Sequence, residues 1–176
     1  MPRSWVSSLS LFSELAWNGL EIFLSKDNHD ITQTLELVKE EWQKFLNITS
    51  LFSKEEQTTI NLMGAWTIKD LLGHIATWDR ETLLSMERFQ KSENGTQYGA
   101  IDDWNKSAAD LKIGFSLEQS WEDLESCHQK LIDYLKALPQ ELLVSRRYSQ
   151  RQILGETISH YREHREGVER WRATHD

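Results

Sequence analysis

Proline, cysteine and long apolar runs are all scarce in this chain of 176 residues. The prolines are Pro2 and Pro139, so none interrupts residues 3–138, and this favours long helices over a turn-rich β fold. The single cysteine, Cys127, excludes an internal disulfide framework and is typical of a reducing compartment. Because no cationic partner is evident in the sequence, we expect Cys127 to be a small buried residue rather than a nucleophile.

Positive charge is the minority sign, and the net charge of −8 argues against a protein that binds a nucleic-acid backbone. No apolar run approaches the ~18 residues of a membrane-spanning helix. An apolar stretch follows Arg3, but Glu14 and Glu21 interrupt it and no small-residue cleavage site follows. We therefore expect no signal peptide, no membrane partner and a cytoplasmic location.

Apolar residues instead recur at spacings of three and four, the period of amphipathic helices. No strand pattern competes, and the four long segments of this kind predict helices near 30–48, 67–92, 117–138 and 150–173. Each of the four starts carries a capping-box pair: Asp30 with Gln33, Thr67 with Asp70, Ser116 with Gln119, and Ser149 with Gln152. We therefore predict an all-α protein built as a four-helix bundle.

A long linker over residues 92–116 separates the second and third predicted helices. It is long enough to recross the bundle, so the two flanking helices can run parallel. Within it, Asp102 is expected to cap a short helix over residues 102–111. That helix would lie across one end of the bundle, as a lid over the site.

The N-terminal segment is a separate candidate helix, because apolar residues recur at helical spacing over residues 3–24. We therefore divide the chain into an N-terminal helical extension, 1–28, and a bundle domain, 29–176. The extension could pack on the bundle, or it could present an apolar stripe through which two copies form a homodimer. The sequence leaves both alternatives open.

Two histidines mark the last predicted helix, because His160 and His164 are four residues apart and project from one face. Two imidazoles at this spacing can share one divalent ion, although core or rim histidines are the alternative interpretation. His128 occupies an apolar position of the third helix and is expected to be a hydrogen-bonded core histidine. Asp79 lies within the apolar face of the second helix, where a carboxylate needs a partner or lines a cavity.

Three stretches of the chain resemble a known family. Trp66-Thr-Ile-Lys-Asp-Leu-Leu-Gly-His-Ile-Ala-Thr-Trp-Asp79 resembles the second-helix signature of the DinB superfamily. Ile101-Asp-Asp-Trp-Asn105 and His160-Tyr-Arg-Glu-His164 are similar to the ClbS/DfsB branch of that superfamily. The resemblance covers about residues 30–172. It implies a four-helix bundle in up-down-down-up order that holds a divalent metal ion.

The resemblance places the metal on one histidine of the second helix and on a pair of histidines of the fourth. This sequence has histidine at all three positions, His74, His160 and His164. Some members of the ClbS/DfsB branch lack this triad, so metal binding is not common to the whole branch. Three imidazoles leave a coordination position for water or substrate, and nitrogen ligands suit several metals. The expected cofactor is therefore a divalent transition metal: zinc, nickel or iron.

The activities of these relatives suggest two functions, each directed at a small molecule. The first is metal-dependent hydrolysis or group transfer on an electrophilic or thiol-conjugated compound. Relatives with such chemistry include thiol-dependent transferases, a maleylpyruvate isomerase and metal-dependent hydrolases. The alternative is a metal-independent binding or self-resistance protein, since one relative opens the cyclopropane of a genotoxin. A bundle that only dimerises through residues 3–24 is a third interpretation.

Residues beyond the triad are less sharply defined by the sequence. Asp79 is our candidate for the catalytic base or for a residue that supports a metal ligand. Glu163 neighbours both ligands of the last helix in sequence but is expected to face away, because successive helix residues point about 100° apart. The candidate substrate-contacting residues, each of which could equally be structural, are Trp78, Trp104, Asn105 and Tyr161.

Overall fold

The computed structural model describes residues 31–62, 64–94, 96–143, 153 and 155–175. The predicted N-terminal helix over residues 3–24 and the domain boundary after residue 28 lie outside this part of the chain. The described residues contain no strand, and none of their helices is long and apolar enough to cross a membrane. The predicted all-α class is confirmed.

Seven helical segments follow one another in the described part of the chain. Four are long and correspond to the four predicted bundle helices, and the first three of these lie within two residues of their predicted bounds. The segments are α1 Ile31–Thr49, α2 Glu56–Thr59, α3 Ile68–Gln90, α4 Ile101–Asp110, α5 Leu117–Ala137, α6 Gln140–Leu143 and α7 His160–His175.

Capping boxes explain where α3 and α5 begin. At the start of α5, the Ser116 side chain accepts a hydrogen bond from the Gln119 N–H. The Thr67 side chain accepts a hydrogen bond from the Asp70 N–H, and Asp70 bonds back to the Thr67 N–H, which completes the predicted capping box. The start of α4 differs from the prediction, because its cap is Ala100 and no side chain closes it. Asp102 lies instead in the first turn, where its negative charge favours the helix dipole.

The last bundle helix departs from its predicted course, which began near residue 150. Residues 155–159 adopt π-helical backbone, and the α-helical part begins only at His160. A π turn is wound more widely than an α-helical turn, because its hydrogen bonds reach five residues back. Hydrophobic periodicity does not reveal it, since Thr157 and Ile158 on this turn are still buried.

α3 and α5 run parallel and form the most extensive helix–helix contact of the described residues. Near their starts, the Lys69 ammonium donates a hydrogen bond to the Phe115 carbonyl at 3.2 Å. Further along both helices, Oδ2 of Asp79 is 3.8 Å from Nδ1 of His128. The chain must therefore return along the bundle between the end of α3 and the start of α5.

α1 and α7 form the second parallel pair. The ring of Trp42 lies beside that of Tyr161, with centroids 5.3 Å apart. As both chains continue, the ring of Phe52, just after α1, lies 5.8 Å from that of Trp171. The position of α7 is therefore set by α1 on one side and, through the histidines described below, by α3 on another.

The two parallel pairs point in opposite directions. Trp42 in α1 stacks on His128 in α5, with ring centroids 3.7 Å apart. Further along the first chain, Gln57 accepts a hydrogen bond from Trp121, nearer the start of α5, at 3.0 Å. The bundle therefore has the up-down-down-up order that the resemblance implied. The core between the pairs contains five buried leucines from α5 and its C-terminal cap, Leu117, Leu124, Leu131, Leu135 and Leu138.

The crossover between α3 and α5 runs back along the side of α3. The indole N–H of Trp78 donates to Oδ1 of Asn105 at 3.0 Å. Nearer the start of α3, the Lys112 ammonium donates to the Gly73 carbonyl at 2.7 Å. α4 therefore packs beside the middle of α3, and the prediction that it lies across one end of the bundle is wrong. The parallel order of α3 and α5 requires this path, since the crossover must retrace α3.

Candidate functional site

Three histidine side chains from two helices converge on one point. Nε2 of His160 is 3.0 Å from Nε2 of His74 and 2.9 Å from Nε2 of His164. One nitrogen from each of the three rings lies within 4.8 Å of the others. The spacing of four residues on α7 brings His160 and His164 together, and the packing of α7 on α3 adds His74. The convergence predicted from the sequence is confirmed.

The surroundings of the triad favour neutral imidazoles. Burial lowers the pKa of His74 and of His160 well below the usual value, and repulsion from His164 lowers both further. Burial lowers the pKa of His164 to about 4. The triad therefore presents uncharged rings, the form in which histidine binds metal ions.

The donor set of the triad fits a divalent ion. The Nε2 atom of His160 faces two other nitrogens, but it carries either one proton or one lone pair, so it can satisfy only one of the two contacts. A tetrahedral zinc ion, with bonds of ~2.0–2.1 Å, places its nitrogen ligands roughly 3.3–3.4 Å apart. The two shorter separations of this triad are close to that value.

A cavity of about 600 Å³ opens beside the triad, which is a size suited to a small organic molecule. Its walls come from the loop before α3, from α3 itself, from α4, from the π turn and from the first turn of α7. The prediction that the 92–116 crossover partly covers a pocket beside the triad is confirmed. The lining residues are Gly64, Ala65, Trp66, His74, Trp78, Ile101, Asp102, Asn105, Lys106, Ala109, Asp110, Gly155, Glu156, His160, Glu163 and His164.

Aromatic rings form the apolar wall of the cavity. Trp78 and Asn105, two of the sequence candidates, both line it and are joined by their hydrogen bond. Trp104 does not line it but packs against Trp78, with centroids 4.7 Å apart, and so supports that ring. Trp66 was not among the candidates, although its ring lies 4.8 Å from that of His74. Its place just before the cap of α3 was the signal that could have found it.

Glu163 also lines the cavity, so the prediction that it faces away is wrong. It follows His160 by three residues, which turns it only about 60° from that ligand around the helix. Burial raises the pKa of the Glu163 carboxyl, Arg170 opposes this rise, and the neighbouring Glu166 adds to it. A half-buried carboxylate therefore faces the same space as the triad.

Asp79 and Tyr161 lie in the core behind the triad and do not line the cavity. The Tyr161 hydroxyl is 2.7 Å from each oxygen of Asp79 and 3.0 Å from Nδ1 of His128. Burial raises the pKa of Asp79 to about 7, and the hydrogen bond from Tyr161 opposes this rise. His128 is thus a hydrogen-bonded core histidine, as predicted, and the buried carboxyl of Asp79 has the partner it required.

Cys127 is buried, but its expected lack of a cationic partner is wrong. The guanidinium of Arg80 lies 3.1 Å from its sulfur and pairs with Asp123 as well. This contact is tertiary, between α3 and α5, so it could not be predicted from the sequence. Burial nevertheless raises the pKa of the thiol, with Arg80 opposing, and the interpretation as a small buried residue stands.

Comparison with protein families identifies the superfamily to which this bundle belongs. The family model of the DinB superfamily matches residues 37–167, which span most of the chain and include all three histidines. No curated protein matches the sequence. The matched segment runs from within α1 into α7 and so contains most of the bundle and the walls of the cavity. The chain belongs to the DinB superfamily.

Proposed function

We propose that this protein is a divalent-metal-dependent hydrolase or transferase that acts on a small electrophilic or thiol-conjugated molecule. One observation carries the proposal: three neutral imidazoles, two of them buried and the third, His160, half-buried, converge at the wall of a cavity of about 600 Å³. Membership in the DinB superfamily supports it, because members often bind divalent metals. A cavity of this size beside such a donor set has room for a substrate.

His74, His160 and His164 would hold the ion through their Nε2 atoms. Zinc, nickel and iron all accept three nitrogen ligands, so the donor set does not select among them. When bound, the ion would supply Lewis acidity to a substrate oxygen or to water. Three protein ligands leave at least one position open, which is the arrangement of catalytic rather than structural zinc sites.

The remaining cavity residues suggest how the chain itself would take part. Trp66 and Trp78 offer flat apolar surfaces against which a substrate can pack, and the bond to Asn105 fixes the plane of Trp78. The carboxylate of Glu163 faces the cavity beside the triad and is placed to accept a proton from a hydroxyl or thiol nucleophile. Asp79 fits the supporting role proposed from the sequence, since it contacts Tyr161 rather than the cavity.

A specific observation also favours the alternative, a metal-independent binding or self-resistance protein of the ClbS/DfsB branch. Ile101, Asp102 and Asn105 come from the motif that resembles this branch, and all three line the cavity. In this function the cavity would bind its ligand through α4 and the tryptophans. The triad would then contribute polar wall and no catalysis.

The test is turnover of two probes, a chromogenic aryl ester for hydrolysis and an aryl halide with added thiol for transfer. We expect turnover by the metal-loaded protein to disappear on addition of a chelator and in His164→Ala. The control is His175→Ala, an exposed histidine at the end of α7, which should keep full activity. If turnover, or binding of either probe, is indifferent to the chelator and to His164→Ala, the metal-independent function is correct.

A further inference from the structure

A buried polar chain joins three helices of the bundle next to the triad. Asp79 in α3 and Tyr161 in α7 are both completely buried. The Tyr161 hydroxyl is 2.7 Å from each oxygen of Asp79 and 3.0 Å from Nδ1 of His128 in α5. A phenol has one proton, so it donates to one Asp79 oxygen at a time and can accept a hydrogen bond from His128. One hydroxyl group thus connects α3, α5 and α7.

Through this hydrogen-bonded chain of side chains, α7 contacts α3 at a second point besides the triad. His160 and Tyr161 are neighbours on α7, and their side chains leave the helix about 100° apart. His160 contacts His74, whereas Tyr161 contacts Asp79, which is about 7.5 Å further along the axis of α3. Two contacts with one helix, made by side chains that point in different directions, fix the rotation of α7 about its own axis.

Within the described part of the chain, two of the three triad rings lack the usual means of orientation. Ligating histidines generally donate their second ring N–H to a carboxylate, a carbonyl or a water molecule. The Nδ1 atoms of His160 and His164 are buried and have no partner among the described residues. His160 also follows directly on the π turn, so no regular α-helical turn precedes it. The direction of its ring therefore depends on how α7 as a whole is held.

We propose that Tyr161 is a positioning residue for the triad: its hydroxyl, anchored on Asp79, sets the rotation of α7 and holds the His160 imidazole against His74. The inference rests on the proposed metal site, but the contacts belong to the protein alone and act without a metal. The ion pairs of Glu41 attach α7 to α1 instead, so they do not set its rotation against α3.

The test compares Tyr161→Phe with Tyr134→Phe. The second variant removes a hydroxyl from α5 that is not part of the hydrogen bonds among Asp79, Tyr161 and His128. Zinc affinity is measured by competition with a chromophoric chelator. We expect Tyr161→Phe to weaken zinc binding about tenfold or more, in the range seen when residues that orient metal ligands are lost. Tyr134→Phe should stay within about twofold of the wild type. An unchanged affinity in a folded Tyr161→Phe protein would overturn the proposal.

A second variant separates positioning from stability, because Tyr161→Phe leaves a buried carboxyl group without its donor. The double variant Asp79→Leu/Tyr161→Phe replaces both partners with apolar side chains and should recover stability to unfolding by urea while zinc affinity stays low. If stability and zinc affinity both recovered, Tyr161 would have a merely structural role, and the proposal would be overturned.

Nuclear magnetic resonance of the metal-free protein gives a readout that needs no metal. We expect the ring resonances of His160 to shift in Tyr161→Phe and to remain in place in Tyr134→Phe. If the wild type bound no zinc, the proposed function would fail, and this comparison would still decide the role of Tyr161. Unchanged His160 resonances in Tyr161→Phe would overturn the positioning role whether or not zinc binds.

Discussion

Replacing Asp79 with asparagine should change how stability depends on pH. Asp79 is completely buried, and burial raises the pKa of its carboxyl from 3.8 to about 7. The unfolded chain loses this proton near the lower value, whereas the folded chain keeps it up to the higher one. Between pH 3.8 and about pH 7 the folded state binds more protons than the unfolded state, so ionisation of Asp79 makes the protein less stable as pH rises.

The magnitude follows from the shift. At about 1.4 kcal/mol per pKa unit, a rise of roughly three units lowers stability by ~4 kcal/mol once the pH is above both values. Between pH 5 and pH 8, linkage gives a change of ~2–3 kcal/mol from this group alone. The Asp79→Asn variant has no such change, because its side chain does not titrate. It keeps an oxygen that can accept the Tyr161 hydrogen bond.

The assay is unfolding by urea at pH 5 and at pH 8, for both proteins, with chelator present to remove bound metal. The free energy of unfolding of Asp79→Asn relative to wild type should rise by ~2–3 kcal/mol from the lower to the higher pH. The buried amide of asparagine lacks a partner for its N–H groups and costs about 1–3 kcal/mol, but equally at both pH values. The buried histidines titrate in both proteins alike and cancel in the comparison.

A difference that stays constant within about 0.5 kcal/mol would refute this reasoning. It would mean that Asp79 ionises normally in the folded protein and therefore has a cationic partner. Among the described residues, the basic group beside Asp79 is His128, at 3.8 Å, but burial lowers its pKa to about 4. At pH 5 and above we therefore expect a neutral histidine beside Asp79, and no ion pair.

Three further predictions concern the core, the metal and the crossover. Leu131→Ala should lower the free energy of unfolding by ~2–5 kcal/mol, because this side chain is completely buried, whereas the exposed Leu111→Ala should cost less than about 0.5 kcal/mol. Zinc at about a thousand times its dissociation constant for the wild type should stabilise the wild type by ~4 kcal/mol in a thermal unfolding assay, and should stabilise His74→Ala by ~1.4 kcal/mol or less, since its predicted affinity is about a hundredfold weaker. Glu81→Gln should speed proteolysis within residues 92–99, because the carboxylate of Glu81 accepts hydrogen bonds from Tyr98 and Thr96 of the crossover and from Arg88 of α3. Equal costs for the two leucines, equal stabilisation by zinc, or an unchanged cleavage rate would contradict the respective prediction.

The bundle helices were predictable because their signals are local. The leucines of α5 recur at three and four residues, and burying that one stripe requires a helix. Capping-box pairs at Thr67 and Ser116 fixed two helix starts, since each pair bonds within four residues. The π turn before His160 left no such signal, and the path of the crossover depends on contacts such as that of Trp78 with Asn105, distant in sequence.

In the site, too, local contacts were predictable from the sequence and contacts between distant residues were not. The pairing of His160 with His164 follows from helix geometry, but the addition of His74 depends on packing between helices and was supplied by the family resemblance. The position of Glu163 is within reach of the sequence, because its angle to His164 around the helix is large but its angle to His160 is only about 60°. The partnership of Asp79 with Tyr161 joins residues far apart in the chain, so the sequence predicted the need for a partner without naming it.

Metal content and zinc affinity of the dialysed protein, measured beside His74→Ala, test the central claim most directly. We predict about one equivalent of divalent metal in the wild type as purified or after reloading. We also predict a loss of affinity of about a hundredfold or more in His74→Ala, since one of three protein ligands is then missing. Absence of stoichiometric metal, together with zinc binding no tighter than that of His74→Ala, would contradict the claim. The metal-independent binding function would then take its place.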